Sequence, residues 1–273
     1  MLFDFYTQFG ALNSAPVFQA FREGLLRHGH QATTMSKKAD AAVIWSVLWH
    51  GRMKTNQSIF NHYRIYNKPV IVLEIGNLIR DKTWKIGVNG INKGSYFVPI
   101  GQDDSRKRSL GLVAKPWNRT GNKILVCGQH EMSHQWAGQP PMKQWVIDTV
   151  KTLKQYTDRP IEFKPHPRYP LSIPGVTQAA TFDLSTSWAV VNHNSGPGIT
   201  AGIEGIPSFV DQSSLASPLG NVDLSQIETP TLINREQWMN DLVWTEWTTE
   251  EMAAGIPHEY LLHYLQFSNI TGS

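Results

Sequence analysis

Short apolar runs recur along this chain, separated by stretches with helical spacing. The runs are "LFDFY" (2–6), "AAVIWSVLW" (41–49), "PVIVLEI" (69–75), "KILVCG" (123–128), "PIEFK" (160–164), "WAVVN" (188–192) and "IPSFV" (206–210). Strands that are apolar throughout, with helices between them, are the mark of a parallel sheet covered on both faces. The pattern predicts an α/β protein, and 273 residues suit two domains, each able to bury its own core.

The helices are legible between the runs. In "SAPVFQAFREGLLRHGH", Ser14 suits a cap and Pro16 a first turn, while Val17, Phe18, Phe21 and Leu25 form one apolar stripe, predicting a helix over 15–27. "MKQWVIDTVKTLKQY" places Met142, Trp145, Val146, Thr149 and Leu153 on one face. The polar stretch "AKPWNRTGN" (114–122) separates two sets of βα units and reads as a linker. The expected organisation is therefore a Rossmann-like domain over 1–118, a second over 119–250, and a helical segment over 251–273 that packs back on the body. A capping box between Thr248 and Glu251 opens that last segment.

Composition narrows the function classes. A net charge of +3 is too small for a histone-like binder but permits a local basic groove. The single cysteine, Cys127, lies inside an apolar run, which excludes an internal disulfide framework and a Cys-based zinc cluster and predicts a buried thiol. The start "MLFDFYTQFG" has no basic leader, and no apolar run approaches the roughly 18 residues of a membrane span. The expectation is a soluble, cytoplasmic protein with no membrane partner.

Two stretches carry anion-binding chemistry. "IEFKPHPRYP" (161–170) runs from a strand into Lys164, His166 and Arg168 on a proline-stiffened turn, so cationic or near-cationic donors lose little entropy on binding phosphate. "WAVVNHNSGPGITAGIEGIPSFV" reads as strand, small-residue turn, helix and strand. Its Asn194, Ser195, Gly196 and Gly198 leave backbone amides uncovered at a helix N-terminus, a seat for pyrophosphate, and Glu204 is assigned the ribose hydroxyls. Either stretch alone also suits a solvated basic turn or a glycine-packed βα turn; together they favour a nucleotide held from both sides. No GxGxxG follows the first strand and no GxxxxGK[ST] occurs, which disfavours dehydrogenases and P-loop enzymes.

"KPHP" resembles the His-Pro motif of bacterial sialyltransferases and capsule sugar transferases. "NSGPGITAGIEGIPSFV" resembles the Ser-x-x-Gly-x-Glu-Ala-x-x-x-Gly-x-Pro segment of two-domain glycosyltransferases of the GT-B type. That resemblance implies two Rossmann-like domains with a sugar nucleotide in the cleft between them. The same families carry an acidic pair and a glycine after an N-domain strand. "VLEIGNLIR" matches this in part, with Glu74 and Gly76 in place and Ile75 replacing the second acid. Glu74 is thus the candidate base for an acceptor hydroxyl, with Asp4, Asp40, Asp81 and Glu131 as rivals and a structural carboxylate, for example one paired with Arg80, as the plain alternative.

"GQHEMSHQW" (128–136) follows the first strand of the second half, where such enzymes contact donor or acceptor, and contributes Gln129. Its His130 and His134 have metal-like spacing, but no third ligand is evident and polar loop contacts are the expectation. "GQHEMSHQW", "KPHPR" and "WTEWTTEEMAAG" also resemble glycosyltransferases of tailed bacteriophages, some of which decorate hydroxymethylated pyrimidines in DNA. This resemblance implies a double-stranded DNA acceptor, with Arg106, Lys107, Arg108, Lys115 and Arg119 lining a groove; the plain alternative is a solvated loop. The resulting expectation is an inverting transferase moving a sugar from a UDP-sugar or similar donor to 5-hydroxymethylcytosine in phage DNA, without a metal or other required cofactor. A capsule or lipid-linked glycan acceptor is the first alternative, and a noncatalytic DNA- or nucleotide-binding module is the second.

Overall fold

A computed structural model of the chain describes residues 1–268, with side chains described through Leu265. The chain forms two compact units, Met1–Ile100 together with the chain from Asp241 onward, and Gly101–Asn240. Each is built around its own sheet with helices on both faces, the Rossmann-like α/β architecture that the apolar runs predict.

In the first unit the strands are β1 (Leu2–Phe5), β2 (Gln31–Thr34), β3 (Ala41–Trp45), β4 (Val70–Ile75), β5 (Trp84–Val88) and, from the far end of the sequence, β11 (Glu246–Trp247). Their order is β11-β5-β4-β3-β1-β2, with β1 to β4 parallel and β5 and β11 antiparallel to their neighbours. Helix α1 (Ala15–Arg27) has the bounds predicted for it, and its Val17, Phe18, Phe21 and Leu25 pack on Phe3, Phe5, Val43 and Leu73. Helix α2 (Asn56–Ile65) covers the opposite face, where Ile59, Phe60 and Tyr63 meet Ala42, Ile44, Val70 and Val72. Because β3 and β4 bury residues toward both helices, their apolar runs do not alternate.

A short return from β2 to β3 is pinned by a buried carboxylate. Asp4 accepts hydrogen bonds from the amides of Ser36 (3.0 Å) and Lys37 (2.8 Å) and from the Tyr63 hydroxyl (3.1 Å). Met35 and Lys37 take positive φ values of 55° and 57° in that turn, and the Asp4 bonds offset the strain. Asp4 is thereby a structural carboxylate rather than a base.

The second unit holds β6 (Lys123–Cys127), β7 (Ile161–Lys164), β8 (Thr177–Gln178), β9 (Ser187–Val191) and β10 (Ser208–Phe209), all parallel, in the order β10-β9-β6-β7-β8. It also contains a short helix, α3 (Ser105–Ser109). Helix α4 (Met142–Leu153) packs Met142, Val146, Val150 and Leu153 on Ile124, Val126 and Val191. Helix α5 (Gly196–Glu204) lies over Leu125, Cys127 and Val190 on the other face. Cys127 is buried and its thiol pKa is pushed up to about 12 by that burial, as its apolar setting predicts.

The division differs from the one expected at 118 and 250. The stretch 114–122 is docked, not a linker: the Lys115 amide donates to the Ile203 carbonyl (2.9 Å), the Asn118 amide to the Gly205 carbonyl (2.8 Å) and the Trp117 indole to the Ile233 carbonyl (3.0 Å). Gly205, at φ 81°, is required there because any Cβ would strike the Pro116 backbone. At the other boundary the chain returns to the first unit within α6 (Glu236–Leu242), since Trp247 finds its burial in the first core. Helices α7 (Thr249–Ala254), opened by the predicted capping box, and α8 (Ile256–Ser268) follow, adding Met252, Leu261 and Leu265 to that core. The expected helical segment is present through Ser268; residues 269–273 lie outside the described residues.

Candidate functional site

In the second unit the chain enters the sheet at β6, builds β7 and β8 to one side, then crosses to place β9 and β10 on the other. The order reverses between β6 and β9, and beyond the carboxyl ends of strands at such a point an open α/β sheet binds its ligands. Gln129 follows β6 and Asn194 follows β9. Their side chains join at this point: Gln129 Nε2 donates to Asn194 Oδ1 (3.0 Å), and Asn194 Nδ2 donates to the Gln135 carbonyl (3.2 Å) and Ser213 Oγ (2.9 Å). Both are buried, so these bonds replace lost water and hold the two loops in register.

The helix start beside Asn194 is open to a ligand. Ser195 occupies the N-cap of α5 in extended backbone without a side-chain cap, and Asn192 Nδ2 instead binds the Ser195 carbonyl (3.0 Å) and Oγ (3.2 Å). Two of the four amides expected to be uncovered are engaged, Asn194's with Gln129 Oε1 (3.5 Å) and Gly198's with the Ser195 carbonyl (3.3 Å), and Pro197 has no N–H, so the Ser195 and Gly196 amides and the positive end of the helix dipole are what this start offers an anion. Gly198 serves packing: a Cβ there would lie 2.6 Å from Asn192 Oδ1 and 2.7 Å from Val210 Cγ1.

On the other side of β6 the His-Pro turn closes between the His166 carbonyl and the Tyr169 amide (2.9 Å), with Pro167 and Arg168 at its centre. His166 Nδ1 accepts from the Arg168 amide (3.1 Å), which places the proton of the neutral ring on Nε2. Burial, then His130, then Arg168 lower the His166 pKa to about 4. The sequence suggested a cation here; the lowered pKa instead favours a neutral ring, whose Nε2–H is a donor rather than a charge. Lys164 Nζ binds the Ala180 carbonyl (2.8 Å), and the Arg168 side chain is exposed.

His130 links the two sides. Its ring lies 5.6 Å from that of His166, edge to face, and 5.2 Å from that of Tyr169, while its neighbour Gln129 holds Asn194. The structure therefore gathers Gln129, His130, His166, Asn194 and the start of α5 at one end of one sheet. Among the described residues no group of three or more His, Cys, Asp and Glu side chains is placed to hold a metal ion.

Glu204 does not join this group. It ends α5, about 12 Å along the axis from Gly196 at 1.5 Å per residue, and pairs with Lys115. In the resembled segment the acid stands two residues after the glycine, and that position here is Thr200. Sequence reading also passed over His193 and Asp211, which follow β9 and β10 and line a cavity of about 170 Å³ floored by Trp145, Val191 and Phe209. The signal was present in "NHNS", where a histidine stands between two amides at a strand end.

Of the residues expected to line a DNA groove, two are withdrawn from solvent and three are exposed with a partner each. Arg106 and Lys107 are buried, the latter paired with Glu236; Arg108 pairs with Asp104 (2.8 Å) and Lys115 with Glu204. The Arg119 guanidinium lies 4.6 Å over the ring of Trp188, over which Arg159 also lies at 3.8 Å. Cations already spent on ion pairs and ring contacts release few counterions on meeting a phosphate backbone.

Glu74 lies in the first unit, on β4, half-buried, with Oε1 accepting from the Ile75 amide (2.9 Å). Across the sheet it stands opposite Lys85.

No protein-family model matches the sequence, and no curated protein matches it. Among solved structures the chain is similar to the beta Kdo 2,7 transferase of Thermosulfurimonas dismutans KpsC, with a TM-score of 0.50 and 13% identity over 94% of this chain and 99% of that one. The beta Kdo 2,4 transferase of the same protein gives a TM-score of 0.49 and 15% identity over 89% of each chain. At these identities the likeness is one of fold.

Proposed function

We propose that the protein is a glycosyltransferase that moves a sugar from a nucleotide-activated donor to a glycan hydroxyl, in the manner of capsule polysaccharide enzymes. The observation that carries this reading is the meeting of His166, Gln129, Asn194 and the open start of α5 at the β6/β9 reversal, the place and chemistry for a nucleotide phosphate. The fold neighbour that acts on Kdo supports a glycan acceptor over DNA, and the spent basic residues point the same way.

In this reading His166 Nε2–H and the Ser195 and Gly196 amides at the start of α5 receive the phosphate oxygens, and Arg168 adds charge from solvent. The acceptor oxygen attacks the anomeric carbon while its proton passes to Glu74. The bond from that carbon to the phosphate oxygen breaks with its electron pair leaving on the nucleotide, a single displacement that inverts the centre. Hydrogen-bond donors and a helix terminus balance the leaving charge, so activity survives EDTA.

The test is turnover with a panel of CMP- and UDP-activated sugars, including CMP-Kdo, offered with a Kdo-terminated oligosaccharide or with hydroxymethylcytosine DNA. Nucleotide release with transfer to the oligosaccharide supports the reading. Transfer to DNA alone restores the phage acceptor, and binding without release from any donor leaves a noncatalytic module.

A further inference from the structure

A row of charges crosses the edge of the first sheet. Glu74 on β4 stands directly opposite Lys85 on β5, and Lys85 stands directly opposite Glu246 on β11, so the three side chains share one face. Lys85 and Glu246 are 5% and 1% exposed, while Glu74 is half-buried. A charge on a lysine this deep is costly: burial lowers its pKa, and the nearby charges of Glu246 and then Glu74 offset that only in part.

Glu246 does more than face Lys85. Its Oε1 accepts from the Asn77 amide (2.7 Å), and its Oε2 accepts from the Leu78 amide (3.1 Å) and the Thr83 hydroxyl (2.8 Å). These groups belong to the loop that leaves β4 just after Glu74. Gly76 sits so close that a Cβ would collide with the Thr83 carbonyl and the Glu246 carboxylate. The loop's own charges point elsewhere: Arg80 pairs with Asp81 in solvent, and Lys82 acts on Glu250.

We propose that Glu246, delivered by the last strand of the chain, is a positioning residue for Glu74: it fixes the loop beyond β4 and, with Lys85 between them, sets the charge that Glu74 feels. This rests on the reading of Glu74 as the base. It also gives the return of the chain to its first unit a chemical purpose, since residues far apart in sequence then complete one strand end.

The experiment uses the full chain with ¹³C-carboxyl-labelled glutamate and needs no substrate. In Lys85→Met the Glu74 titration is expected to move up by about one pH unit or more, and in Glu246→Gln to move down, because one change removes an attracting charge and the other a repelling one. Amide exchange at Asn77 and Leu78 should quicken about tenfold or more in Glu246→Gln. A purely structural Glu246 would quicken exchange and leave the Glu74 titration in place, which overturns the proposal, as does unchanged exchange. Should Glu246→Gln fail to fold, the Lys85→Met titration still decides whether the row sets the charge at Glu74. Turnover retained by Glu74→Gln would instead sink the base assignment while leaving these titrations standing.

Discussion

The two sheets share a plan and use their buried polar groups differently. In the first unit buried carboxylates close the chain on itself: Asp4 pins the return between β2 and β3, and Glu246 pins the loop after β4. In the second unit two buried amide side chains at strand ends, Gln129 and Asn194, bind one another beside a helix start without a side-chain cap. A carboxylate saturated by backbone amides is fixed and unavailable. An amide pair beside an uncapped helix is fixed yet still presents donors, and that separates scaffold from site.

The strongest way to break this contrast is Asp4→Ala. Removing the carboxylate strands two amides and the Tyr63 hydroxyl, and denaturant unfolding should show a loss of about 3 kcal/mol; a neutral result would remove Asp4 from the scaffold.

Acid should act on both units in the same direction. His258 is fully buried, donates from Nε2 to the Phe21 carbonyl (2.8 Å), and has its pKa lowered to about 4, chiefly by burial. The unfolded chain takes up that proton near the ordinary 6.5. The stability His258 contributes is therefore complete above 6.5 and falls away as pH drops toward 4, by up to about 3 kcal/mol. His166 in the second unit shifts the same way. Melting temperature against pH, compared with a His258→Gln variant, should show a shallower acid slope in the variant.

Smaller effects sharpen the assignment of roles. Glu74→Gln is expected to leave nucleotide binding intact and cut turnover by about 100-fold in the donor-panel assay. His166→Ala should weaken CMP or UDP binding by about tenfold in calorimetry while leaving the unfolding midpoint near that of the parent chain. Glu204→Gln removes only a largely exposed pair and should change stability by less than about 0.5 kcal/mol, with nucleotide affinity unchanged. A large affinity loss there would return Glu204 to the ribose.

The edges of each sheet show where sequence reading weakens. Each apolar run contains a strand, and α1 followed from its stripe and from Pro16 in its first turn, while Ser14 at its N-cap position makes no cap bond and donates its hydroxyl to the Ala11 carbonyl (2.8 Å) instead. By contrast β2, "QATT", and β11, "EW", carry little apolar signal, since edge strands are held by backbone pairing and a neighbour's side chains. Helix α2 escaped notice because its apolar residues, Ile59, Phe60 and Tyr63, are spread through a polar stretch. The strand-end positions of the His-Pro turn and of the small-residue turn after β9 were both legible in the sequence. The protonation of His166 was not, because it depends on burial and on His130, a residue of another strand end.

The sequence by itself determined the class of fold, the mostly parallel sheets, the stripes of α1 and α4, the capping box of α7 and the two turns at strand ends on which the proposed site rests. These rest on local periodicity and on residues a few positions apart, where the chain's covalent geometry makes neighbours certain. The tertiary structure alone decided that Gln129 meets Asn194, that Arg106 and Lys107 are buried, that 114–122 is docked, and that Glu246 returns to stand in line with Lys85 and Glu74. Each depends on residues brought together across many intervening positions, where burial and strand order, not spacing, set which charges and donors remain available.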